Sequence, residues 1–141
     1  MAKNTQLTNY SVGIEADAFA ALFNTGFMDI LDGTQPATGD TAITTQNVLA
    51  AVGFNATAFA AAANGVITAN PMTACSAANL TGNAKWARCY KSDHTTKLMD
   101  ITVDVTGNTP NVVLNSIAIQ ANAQVSITSF VHTVAKSTAN L

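Results

Sequence analysis

Apolar and polar positions change period along this chain, and the change divides it into elements. In "IEADAFAALFNTG" the residues Phe19, Leu22 and Phe23 recur at i, i+3 and i+4, the spacing of one helix face. Glu15 and Asp17 lie near the expected start, where the helix dipole favours acids, and Gly26 is the expected stop. One short helix is predicted. Upstream, the polar, aperiodic "MAKNTQLTNY" reads as an extended N-terminal arm, and the arm is expected to span residues 1–14.

Beyond Gly26 the period becomes two. "GFMDILDG" sets Met28 and Ile30 against Asp29 and ends in an Asp32-Gly33 turn signal, which predicts a strand. "GTQPATGDTAITT" is a long loop, and "QNVLAAVGF" is either a strand buried on both faces or a short helix. "ATAFAAAA" has high helix propensity, whereas "GVITA" after Asn64-Gly65 reads as a strand.

The second half alternates more clearly. In "GNAKWARCYKSD" the residues Trp86, Arg88 and Tyr90 share one face, and "SDHTT" supplies a turn. "KLMDITVDV" then places Met99, Ile101, Val103 and Val105 opposite Asp100, Thr102 and Asp104, so the two runs make a hairpin. "VVLN" and "IAIQ" are short strands, and "AQVSITSFVHTV" is a long closing one. Helices number one or two at most. The expected fold is all-β: a jelly-roll-like β-sandwich of about eight strands, with a short N-terminal arm and one short helix, in a single domain over residues 1–141.

Composition adds a question about the surface. The chain is 48% hydrophobic, but 26 residues are Ala and only 6% are aromatic, which predicts a thin core. Charged residues make up 10%, against roughly 25% in soluble domains generally. None occurs from Thr41 to Ala84 or from Val105 to Ala135. Thr and Asn solvate a β-protein well; a surface this poor in charge also suits contact with protein neighbours. With a net charge of −2 and no basic patch, nucleic acid is not an expected partner. No tract reaches the ~18 apolar residues of a membrane helix, and no signal peptide is visible, so synthesis in the cytoplasm with free Cys75 and Cys89 is expected.

Candidate chemistry is sparse. His94 falls in a turn and His132 in the last strand, and neither has a second His at metal-ligand spacing. Asp100 and Asp104 share a strand face, and Asp29 and Asp32 bound a turn; carboxylates so placed serve either acid–base or cation chemistry, or simply a solvated face. Cys89 has Arg88 and Tyr90 as neighbours, but strand alternation points its thiol to the opposite face, and Cys75 sits in a loop without catalytic context. "DGTQPATGD" lacks the spacing of a phosphate-binding loop. Trp86 and Tyr90 suit either a core or a carbohydrate platform. The expectation is a non-enzyme, with no catalytic, cofactor-binding or metal-ligating residues.

Five segments in order carry a resemblance: "DGTQP", "TTQNVL", "NGVITAN", "WARCYKSDH" and "LNSIAIQANAQVSITS", within roughly residues 20–133. Together they resemble a group of small virion proteins of tailed bacteriophages, and within that group the capsid cement, or decoration, proteins. His94 and Asn122 stand where the group's pattern has glycine. The resemblance implies a jelly-roll subunit on the outside of the phage head that binds the major capsid protein, with no cofactor, nucleic acid or membrane. A homodimer suits a two-fold position on such a shell. Asn9 and Tyr10 are the expected capsid or dimer contacts. The alternatives are a tail or baseplate protein, or a glycan-binding virion protein that uses Trp86 and Tyr90.

Overall fold

The helix begins well before its acids. In the computed structural model, which describes residues 4–105 and 110–137, α1 spans Asn9–Ala21, with Thr8 as N-cap accepting a hydrogen bond from the Ser11 N–H. A capping hydroxyl satisfies a donor that the helix itself leaves free, so the expected 1–14 arm is corrected: residues 9–14 are helical. Glu15 and Asp17 accordingly lie mid-helix. Of the remaining arm, Gln6 bridges Ser137 and the Leu7 N–H donates to the Lys136 carbonyl, so these residues pair within their own chain.

Among the described residues nine strands follow: β1 (Phe27–Leu31), β2 (Val48–Gly53), β3 (Val66–Thr68), β4 (Gly82–Asn83), β5 (Trp86–Tyr90), β6 (Lys97–Asp104), β7 (Val112–Leu114), β8 (Ala118–Ile119) and β9 (Ile127–Thr133). Seven form one curled sheet in the order β2-β1-β5-β6-β7-β9-β3, antiparallel except at β6–β7, while β4 and β8 make a small second ladder. The result is the expected all-β, sandwich-like architecture. Gly26 does not cap the helix; Thr25 takes the left-handed conformation instead (φ 57°). Gly26 is needed because an added Cβ would lie 2.3 Å from the Tyr90 carbonyl oxygen.

The alanine tract is not helical. Asn64 (φ 54°) and Gly65 (φ 81°) form a two-residue turn in which Ala63 and Val66 exchange both backbone hydrogen bonds. Two successive positive φ values fit the twist of a hairpin, and Asn-Gly supplies them at least cost. Burial of Ala58 and Phe59, together with the ladder from Ala60 N–H to Thr68 O and from Asn70 N–H to Ala58 O, overrides alanine's local preference. The core is also fuller than the aromatic content suggests. Phe23 packs edge-on against Phe54 and Phe59 (centroids 5.3 Å in each case), and Phe59 against Phe130 (5.2 Å). A few rings concentrated in one cluster do the work of many.

Candidate functional site

Strand register sorts the chemistry onto one face. Asp29 lies opposite Arg88, which lies opposite Asp100, while Met28, Cys89 and Met99 align on the other side of the sheet. The apolar set, with Ile30, Ala87 and Ile101, belongs to the core. Around Arg88 the polar face is covered, because the loop from Asp32 to Asn47 crosses it as a strap. Arg88 Nη1 donates to the Thr41 carbonyl at 2.7 Å, Trp86 Nε1 to the Asp32 carbonyl at 3.0 Å and Lys97 Nζ to the Asp40 carbonyl at 3.0 Å. Its ends are tied as well: Asp32 accepts from Asn47 N–H and Nδ2, and Gln46 Nε2 donates to the Thr34 carbonyl.

At the centre of this face, Arg88 is fully buried and forks onto Asp100, Nε to Oδ1 at 2.6 Å and Nη2 to Oδ2 at 2.7 Å. The bond to Asp100 raises the guanidinium pKa further above its usual range. Each guanidinium nitrogen makes a hydrogen bond, and the side chain is fully buried beneath the strap. Trp86 lies under the same guanidinium, 5.3 Å from ring centroid to Cζ. Trp86 and Tyr90 are 1% and 8% exposed, so of the two readings, core and carbohydrate platform, these covered rings fit the core.

His94 closes the rim. It takes a left-handed backbone (φ 55°), stacks on Phe27 (centroids 4.4 Å, interplanar 11°) and places Nε2 2.8 Å from Asp29 Oδ1. Burial pushes the Asp29 pKa up, against the opposing bond from His94. In nucleophilic catalysis an Asp–His pair carries a third side chain on the ring; among the described residues the side-chain hydrogen bond of His94 is to Asp29. Asp93 beside it is spent on the turn, accepting from Thr95 and Thr96, and those bonds hold its carboxyl well below the usual range.

The other candidates are dispersed. Asp100 serves Arg88, and Asp104 accepts from the Val105 N–H, so the pair does not converge. Asp29 and Asp32 point into different networks; hydrogen bonds from Asn47 lower the Asp32 pKa. His132 packs on Phe19 (centroids 5.5 Å), and partial burial lowers its pKa. Cys89 is fully buried, which raises its thiol pKa well above normal, whereas Cys75 is partly accessible and donates to the Ala77 carbonyl; both are free thiols. Among the described residues no cluster of three or more His, Cys, Asp or Glu is placed to hold a metal ion, and no helix is long and apolar enough to cross a membrane.

Exposed apolar side chains lie elsewhere. Tyr10 (79% exposed), Ile14 (55%) and Leu22 (42%) stand on or just beyond α1, and Leu80 (46%) on a loop. Asn9, the other expected contact, begins α1 and takes a hydrogen bond from Lys136 Nζ. Sequence spacing set Phe19, Leu22 and Phe23 on one face; Phe23 is buried and Phe19 packs on the core, but Leu22, the C-cap, is corrected to the outside, in a row with Tyr10, Ile14 and Ala18 at intervals of four. Comparisons with protein-family models, with curated proteins and with solved structures bring out no match.

Proposed function

We propose that this protein is a structural component of a tailed-phage virion that binds the outside of the head as a homodimer and cements neighbouring major capsid subunits against the pressure of packaged DNA. The observation that carries the family reading lies in the backbone. Gly33 of "DGTQP", Asn64 and Gly65 of "NGVITAN", His94 of "WARCYKSDH" and Asn122 before the last strand all have positive φ. The two residues that depart from the group's pattern, at 55° and 67°, adopt the conformation its glycines would favour.

A structural role is supported further by how the polar face is built. Its arginine is buried in an ion pair with Asp100 and its rings are covered, an arrangement that holds the strap in place. The stretches Thr41–Ala84 and Val105–Ala135 carry no Asp, Glu, Lys or Arg, and where such chain is exposed it meets another protein without desolvating ions. Many weak identical contacts on one shell then reinforce one another. A tail or baseplate position shares these properties, and the test separates the two.

That test is co-sedimentation of the purified protein with separated phage heads and tails, at moderate and high salt. Saturable binding to expanded heads at a fixed ratio to capsid subunits, with little salt dependence, is the expected result. Binding to tails alone, or to neither, overturns the cement role.

A further inference from the structure

Thr25 stands in a backbone conformation that its side chain resists. It joins α1 to β1 with φ 57°, and a β-branched residue in the left-handed region is strained. Local bonds hold it there: its N–H donates to the Asn55 carbonyl at 3.0 Å and its Oγ1 to the Asn24 carbonyl at 2.6 Å. Glycine takes the same φ without strain, so this junction carries a cost that one substitution would remove. Strain of this kind collects where a segment changes state.

The segment before this junction is seated as a unit. α1 lies on the body through the short side chains Val12, Ala16 and Ala20, with Phe19 against His132 and Phe23 in the ring cluster of Phe54 and Phe59. Its polar ties are of the same kind: Asp17 Oδ1 accepts the Ala62 N–H at 2.7 Å, Lys136 Nζ donates to Asn9, and the Leu7 N–H donates to the Lys136 carbonyl. Each of these contacts joins a residue before Thr25 to one after it. The same residues of another copy would therefore satisfy them equally well, and the two arrangements differ chiefly in the junction: strained where the helix folds back on its own chain, relaxed where the chain runs on extended.

We infer that Thr25 is a hinge and that the homodimer forms by exchange: the N-terminal segment through Phe23 leaves its own seat and fills the same seat on a second copy. Guest and seat are both present in one chain, so the exchange needs no new surface, and it closes at two copies. The helix must leave its seat before it changes partner, which makes opening of α1 the slow step and makes the dimer slow to form and slow to part. This inference deepens the homodimer part of the proposed function and rests on that part alone. Head binding is measured separately, so either idea can fail without the other.

The test is size-exclusion chromatography of the full chain after long incubation over a wide concentration range, followed by dilution. A dimer that accumulates with concentration and outlasts the dilution is expected. Thr25→Gly should lower the dimer's association constant about tenfold while raising the melting temperature, a combination that a merely strained turn does not produce. Thr25→Val, which keeps the branch and loses the hydroxyl bond, should raise the dimer fraction. In a Cys75→Ser background, chains carrying Asp17→Cys are incubated with chains carrying Ala62→Cys and then oxidised; the mixture should yield more covalent dimer on a denaturing gel than either variant alone. A monomer at every concentration in both the unaltered chain and Thr25→Val would overturn the inference. So would a dimer that parts at once on dilution, one indifferent to Thr25→Gly, or a mixture that cross-links no better than its components.

Discussion

Arg88 and Asp100 meet as a two-pronged ion pair beneath the strap, with both nitrogen–oxygen distances under 3 Å and the arginine fully buried. Cutting only one partner leaves a buried charge. Arg88→Ala should cost about 3–5 kcal/mol, which in a domain of this size is roughly 10–17 °C in thermal unfolding. The double change Arg88→Met with Asp100→Leu should recover most of that loss. A double variant as unstable as the single one would show that the strap depends on the charge itself.

Trp86 is the only tryptophan and pins the strap through its indole N–H. Trp86→Phe should lose about 1 kcal/mol and speed hydrogen exchange of the Asn47 amide, with little change in β5 and β6. Equal acceleration in those strands would mean the strap and the sheet open together.

Gly65 tests the Asn-Gly turn. Gly65→Ala should destabilise by roughly 1–3 kcal/mol, because φ is 81° and the new Cβ would lie 2.9 Å from Val12 Cγ2. Asn64→Gly, at a position that already tolerates positive φ, should cost no more than a few tenths of a kcal/mol. Denaturant unfolding of the two variants measures the contrast.

His132 makes stability depend on pH. Its folded pKa is lowered by burial, so the folded state binds fewer protons than the unfolded chain. The associated stability is present above the unfolded value, about 6.5, and is lost as pH falls below it. His132→Gln should flatten the melting temperature between neutral and mildly acidic pH. A slope identical to that of the unaltered protein would assign the dependence to another group.

The two cysteines should differ in reactivity. Under native conditions Cys75 should react with a thiol reagent, while Cys89, buried with a raised pKa, should react only after unfolding. Mass spectrometry of labelled peptides distinguishes them.

Strand alternation made β1, β5, β6 and their hairpin legible, because a period of two survives wherever one face is apolar. Trp86, Arg88 and Tyr90 were correctly placed on one face, but nothing local showed that a loop dozens of residues upstream would cover it. Ala56–Ala63 misled because propensity is local, whereas the pairing that overrides it begins at Asn64-Gly65. Thr8 as a cap was hidden for a related reason: an N-cap is recognised from the run that follows it, and here the apolar ridge is split between two helix faces. Strand order, including the parallel β6–β7 pair, depends on contacts distant in sequence and left no periodic trace.

The two sheet edges carry one more consequence. At β2, Gly53 exchanges backbone hydrogen bonds with Thr73, and Leu49 O accepts from Asn79. Beyond β3 the alanine arm takes the last place, and its outward N–H groups at Ala58 and Ala62 are held by Asn24 and Asp17 side chains. A newcomer therefore finds these bonding positions already taken, and copies of the chain are hindered from growing into one another strand by strand. Crowding can then bring them together mainly through side chains, which keeps assembly countable and reversible.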